Sequence, residues 1–135
     1  MAAVTLSDYT KTARSVALAT TIDQGGSATL YLYTGPQPAN ADAALDTQIE
    51  LAAIDCPTPI GTVENGALTG GTFEQHLTTA GTGTAEWARL VNGAGDTVGD
   101  FTVGTQGSGA NIEIISTQFY PGVIVSVSSF LVTEV

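Results

Sequence analysis

Along this 135-residue chain the spacing of apolar residues changes once, near Gly25-Gly26, and the change divides a helix from a series of strands. Tyr9, Ala13, Val16, Ala17 and Thr20 recur at i, i+4, i+7, i+8 and i+11, which lines them up as one modest stripe on an α-helix. Ser7 stands before them as a cap, and Asp8 suits the positive end of the helix dipole. Thr20, Thr21 and Ile22 are β-branched and weaken the last turn. The spacing predicts a helix over residues 7–23.

Beyond Gly26 the period falls to two. Ala28, Leu30 and Leu32 alternate with Thr29, Tyr31 and Tyr33, the mark of a strand with one inward face. Thr34-Gly35-Pro36-Gln37-Pro38 stops it, because proline cannot donate to a sheet ladder. Residues 35–48 read as a long loop, and 49–55 as a strand closed by Cys56-Pro57-Thr58-Pro59. Asn65-Gly66 and Gly70-Gly71 are turn signals, with one interrupted strand expected over 67–78. Strands over 83–91 and 97–103 flank a hairpin turn at Asn92 to Asp96. Residues 112–116 and 123–133 supply the last two, with Val123, Val125, Val127 and Leu131 on one face.

Short strands at regular spacing after one helix predict a mainly β protein. The expectation is a β-sandwich or jelly-roll of six to eight strands with one N-terminal α-helix. Residues 1–135 form a single domain, with the sandwich over 27–135. Residues 114–133 are uncharged over about one membrane-spanning length. Pro121-Gly122 and the alternating Ser126 and Ser128 make that stretch a hairpin strand rather than a membrane helix.

Composition narrows the possible partners. Charged residues are 12% of the chain, about half of what an average soluble domain carries, so much of the polar surface must be uncharged. Uncharged groups cost less to desolvate, which suits lasting contacts with neighbours. The net charge is −10, and the three cations are Lys11, Arg14 and Arg89. They cannot neutralise a run of phosphates, so no nucleic-acid partner and no anionic membrane is expected. Cys56 is the sole cysteine and forms no intrachain disulfide. The start, Met1 to Leu6, lacks a basic n-region, so no signal peptide is expected.

No group of residues announces chemistry. His76 is the sole histidine and reads as a surface or hydrogen-bonded residue, since catalysis needs a partner in reach. Cys56, between Asp55 and Pro57, lacks a cationic setting that would favour a thiolate and reads as small and buried. One Cys and one His make zinc improbable. Asp96 and Asp100, or Asp42 and Asp46, are the candidates for calcium, but neither pair sits in a calcium-loop spacing. Gly104 to Gly109 is no phosphate cradle, because no Lys follows. Tyr31, Tyr33 and Trp87 form an aromatic platform if exposed and core if not; Trp87 and Arg89 share a strand face. The expectation is a protein that is not an enzyme, with no catalytic, cofactor-binding or metal-binding residues.

The order of motifs carries a resemblance. A helix ends in Gly-Gly; Leu30-Tyr31-Leu32-Tyr33-Thr34-Gly35 runs into Pro36-Gln37-Pro38-Ala39 and an Ala-Asp stretch. Gly83-Thr84-Ala85-Glu86-Trp87-Ala88-Arg89, the turn at Asn92 to Asp96, and a final Gly-Val-x-Val-x-Val-Ser-Ser-Phe follow. Over nearly its whole length the chain resembles small structural proteins of tailed-bacteriophage virions, and is similar to jelly-roll cement, or decoration, proteins of their capsids. Residues 55–80, with Cys56-Pro57 and Phe73 to His76, depart from that pattern. The resemblance implies a decoration protein on the outer capsid surface of the virion, bridging major capsid protein subunits and meeting copies of itself, as in a trimer. A tail, baseplate or head-fibre component and a carbohydrate-binding module are the alternatives.

Overall fold

The computed structural model describes residues 4–73, 76–77 and 81–133. Helix α1 spans Asp8–Ile22. Ser7 caps it, its Oγ accepting the Thr10 N–H at 3.2 Å, and the Asp23 N–H donates to the Ala19 carbonyl at 3.0 Å at the other end. The strands are β1 (Thr29–Tyr33), β2 (Glu50–Asp55), β3 (Gly61–Glu64), β4 (Ala67–Gly70), β5 (His76–Leu77), β6 (Gly83–Thr84), β7 (Trp87–Val91), β8 (Thr97–Thr105), β9 (Ile112–Ile114), β10 (Gln118–Phe119), β11 (Ile124–Val125) and β12 (Val127–Thr133). No described helix is long and apolar enough to cross a membrane.

Eight strands make one curled mixed sheet in the order β2-β1-β7-β8-β9-β12-β4-β3, giving a mainly β, sandwich-like fold with one helix. The two-residue strands pair separately, β10 with β6 and β11 with β5. Eight main strands match the sequence expectation; the short pairs lie outside it because two residues leave no period to read. The expected strand over 83–91 is two, since Ala85-Glu86 carry the chain from β6 to the main sheet. The expected strand over 67–78 likewise divides into β4 and β5, and β3, unread in the sequence, completes a hairpin with β4 around Asn65-Gly66.

One pair in the sheet is parallel. Val103, Gly104 and Thr105 of β8 lie beside Ile112, Glu113 and Ile114 of β9. Parallel neighbours ordinarily need a crossover of a dozen residues or more, but an overlap of three asks the chain to climb back only about 10 Å. The intervening loop does this with Gly107 and Gly109 at φ +83° and +84°. The Glu113 carboxylate accepts both of their N–H groups, at 3.2 and 3.1 Å.

The inner face of the curl is the core. Leu30, Leu32, Ile54, Ala88, Leu90, Ile112 and Ile114 are buried there. Phe130 meets Phe101 and Phe73 edge-on, with centroids 5.5 and 6.2 Å apart, a favoured aromatic geometry. Phe130 points inward because the register of β12 on β9 shifts between Val127 and Ser129. An irregularity of that kind exchanges inward and outward positions. The expected common face of Val123, Val125, Val127 and Leu131 is therefore interrupted: Val125 and Val127 are buried, Leu131 is exposed, and Phe130 is the buried residue beyond the shift.

The helix also turns a different face inward from the one its apolar spacing suggests. Tyr9 is 86% exposed and Val16 49%, while Ala13, Ala17 and Thr20 are exposed too. The side facing the protein is Ser15, Leu18, Ala19 and Ile22. Hydrogen bonding sets this choice. The Ser15 hydroxyl donates to the Gly66 carbonyl at 3.0 Å, and the Gly66 N–H donates to Thr12 Oγ1 at 2.9 Å. A hydrophobic period cannot register a contact made by Ser and Thr. The approach is close: a Cβ on Gly66 would lie 2.9 Å from the Lys11 Cβ, and Gly66 has φ +79°. Gly66→Ala is expected to lower unfolding stability by about 1–3 kcal/mol, from left-handed strain and displacement of the helix. Urea denaturation of both proteins measures it.

Candidate functional site

Register places a second group of side chains on the outer face of the sheet. Leu30 and Leu32 face inward with their partners Leu90 and Ala88, so Tyr31, Tyr33, Trp87 and Arg89 between them face outward. Across β7 and β8, Arg89 stands opposite Asp100. The Tyr33 and Trp87 rings stack at 4.8 Å with 22° between planes, and the Arg89 guanidinium carbon lies 5.4 Å from the Trp87 ring centroid. Arg89 Nε and Nη2 donate to the two Asp100 oxygens at 2.7 and 3.0 Å. A forked guanidinium suits this two-point bond, and both side chains are nearly buried. The bond to Asp100 raises the Arg89 pKa above its ordinary value, against the effect of burial.

This cluster holds down the loop that follows β1. Arg89 Nη1 donates to the Ala43 carbonyl at 2.9 Å, and Trp87 Nε1 donates to the Thr34 carbonyl at 2.8 Å. The Gly35 N–H donates to Glu86 Oε2 at 2.9 Å, and Gln48 Nε2 to the Pro36 carbonyl at 2.6 Å. Residues 34–49 therefore form a layer over the outer face, and Trp87 is fully buried although it points away from the main core. Tyr33 is buried with it, and burial, then Glu50, raises its phenol pKa. The aromatic platform is closed: Trp87 and Tyr33 offer no open ring face, and Tyr31 is half-buried.

The other candidates do not assemble. Cys56 is buried, and desolvation, with Asp55 and Asp23 nearby, pushes its pKa up to about 12, so at neutral pH it is a protonated thiol. An open hollow of about 350 Å³ beside it is lined by Ser27, Asp55, Pro57, Thr58 and Thr72, and the Ser27 and Thr58 hydroxyls bond each other at 3.1 Å. Asp100 is engaged by Arg89, whereas the Asp96 turn is organised by Asn92, whose Oδ1 accepts the Ala94 and Asp96 N–H groups. Asp42 and Asp46 lie exposed on the loop. Among the described residues no three His, Cys, Asp or Glu side chains gather as a metal site. Glu74, Gln75 and the His76 side chain lie outside the described residues.

Among the described residues, besides Val4 and Leu131, the exposed large apolar side chains fall into three groups. The first is the outer stripe of α1, with Tyr9 and Val16. Leu45 and Ile49 on the covering loop are the second. The third is Ile115, Tyr120 and Ile124, beyond the point where β9 and β12 separate, with a shallow groove between Ile115 and Ile124. The third carries a signal in the sequence that the alternation along its strands left unread. The adjacent pairs Ile114-Ile115 and Ile124-Val125 were its signal, since neighbours on a strand face opposite ways and only one can enter the core. Comparison with protein-family models, with curated proteins and with solved structures finds no match in any of the three.

Two measurements check these assignments. Arg89→Ala strands the buried Asp100 carboxylate and removes the tie to Ala43, so a loss of about 3–5 kcal/mol is expected, with faster proteolysis within residues 36–48. The Cys56 thiol is expected to stay silent toward a disulfide reagent at pH 8 until the chain is unfolded. Its raised pKa favours the folded state below the unfolded thiol value, near 8.5, and that contribution fades as pH rises toward about 12.

Proposed function

We propose that this protein is a capsid decoration protein of a tailed-phage virion, binding the outer surface of the head and bridging major capsid protein subunits. One observation carries the reading: exposed large apolar residues occur on several separate elements, among them the helix, the loop and the Ile115–Ile124 end. A bridging protein needs at least two contact surfaces, and a single binding module needs one. The low content of charged residues supports it, because such a surface costs little to desolvate. The resemblance of its motifs to phage cement proteins points the same way.

Adhesion here needs no turnover. Each apolar patch contributes roughly 25 cal/mol per Å² buried, before the cost of association. A loop already fixed by Arg89, Trp87 and Glu86 loses little freedom on docking, so more of that gain survives. Many copies on one shell then act together. A tail, baseplate or head-fibre component would use the same surfaces and differs in copy number. The carbohydrate-module reading is weaker, since Trp87 and Tyr33 lie beneath the loop.

Cryo-electron microscopy of purified particles tests the proposal. Density fitting this fold is expected on the outer head, at junctions between capsid subunits. With Ile115→Asp and Ile124→Asp combined, the folded protein is expected to bind stripped heads at least tenfold more weakly. Density confined to the tail would end the capsid reading, and absence from particles would end the virion reading.

A further inference from the structure

We infer that the hollow between the first turns of α1 and the Asn65-Gly66 turn binds the end of a neutral glycan, with Tyr9 as the ring on which the sugar rests. The hollow has a volume of about 360 Å³, within the roughly 300–1,000 Å³ of small-ligand sites. Asp8, Tyr9, Thr12, Ala13 and Asn65 line it. Helical spacing puts Tyr9, Thr12 and Ala13 on one flank of α1, at i, i+3 and i+4. Tyr9 is 86% exposed, so its ring has a face open to solvent. Tyr33 and Trp87, beneath their loop, provide no such face.

The lining suits a sugar in each of its parts. A pyranose ring carries a face of C–H groups, which packs on an aromatic ring, and hydroxyls that both donate and accept. The Asp8 carboxylate accepts hydrogen bonds, and the Asn65 amide both donates and accepts. Among the described residues no hydrogen bond engages the Asp8 carboxylate, the Tyr9 hydroxyl or the Asn65 amide. Thr12 Oγ1 accepts the Gly66 N–H at 2.9 Å, which leaves its own hydrogen to donate. One open ring and several unengaged polar groups therefore surround one space.

The two walls of that space are fixed relative to each other. The bond from Gly66 to Thr12, and that from the Ser15 hydroxyl to the Gly66 carbonyl at 3.0 Å, tie the turn to the helix. The Ser7 cap holds the first turn, where Asp8 and Tyr9 lie. Groups held in place before a ligand arrives lose little freedom on binding.

Charge selects among sugars. Asp8 in the hollow and the net charge of −10 both oppose an acidic sugar, so the ligand is neutral. The hollow is open on one side, so a single sugar binds weakly, and binding to a surface gains strength where several copies engage it together. The inference does not rest on the decoration reading. That reading needs two contact surfaces, and the covering loop and the Ile115–Ile124 end supply them without the helix.

The test is a titration of the full chain, followed by amide NMR, with glucose, galactose, mannose, N-acetylglucosamine and N-acetylneuraminic acid, each to about 50 mM. Shifts are expected at residues 8–13 and 65–66 with at least one neutral sugar, with a dissociation constant in the millimolar range. Tyr9→Ala removes the ring, and Asn65→Gly removes the amide while keeping a residue at ease with a φ of +50°. Each is expected to weaken binding about tenfold while the spectrum stays that of the folded protein. Val16→Ala, on the same stripe but outside the hollow, is expected to leave binding unchanged. Invariant spectra with every neutral sugar would overturn the inference. So would preference for the acidic sugar, shifts centred elsewhere, or shifts undiminished by Tyr9→Ala.

Discussion

A guanidinium gripped by a carboxylate on the neighbouring strand lets this sheet carry a tryptophan on its outer face. Arg89 reaches Asp100 with two of its nitrogens and the Ala43 carbonyl with a third, while its plane approaches the Trp87 ring. Without the covering loop, Trp87 and Tyr33 would form a large apolar patch open to water. Without Arg89, the loop, which contains no regular element, would have far less to hold it. Burial and ion pairing support each other, because covering the ring also removes the Arg–Asp bond from competing water. That arrangement gives the fold a layer outside its curled sheet.

On the inner side the same problem has another solution. A sheet that curls without closing leaves its concave face in need of cover, and α1 supplies Leu18, Ala19 and Ile22. Its position is set by polar groups, Thr12 and Ser15, which satisfy the backbone of the Asn65-Gly66 turn. This attachment leaves the apolar stripe of the helix outside. The protein thus leaves some of its hydrophobic residues on its surface, among them Tyr9 and Val16 of the helix and Leu45 and Ile49 of the covering loop.

The candidate groups named in the sequence have structural partners wherever they are described. The Cys56 thiol is buried and protonated, Arg89 is bound to Asp100, and the Tyr33 and Trp87 rings are covered, while Tyr9 and Tyr120 stay exposed. Among the described residues several large apolar side chains lie exposed.

Much was legible in the chain itself. The change of period at Gly25-Gly26, the Ser7 cap and the inward alternation of Leu30 and Leu32 follow from local rules, and they determined one helix followed by a β body. The shared face of Trp87 and Arg89 was equally readable, because alternation along one strand fixes it. Tertiary structure alone decided which face of α1 turns inward, since the deciding bonds run from Ser15 and Thr12 to Gly66, about fifty residues away. It alone inverted the end of β12, through a register shift that leaves no mark in the alternation. It also alone placed residues 34–49 over Trp87. A spacing rule describes how one segment presents itself; what covers that segment is settled by hydrogen bonds and contacts with parts of the chain that no local pattern contains.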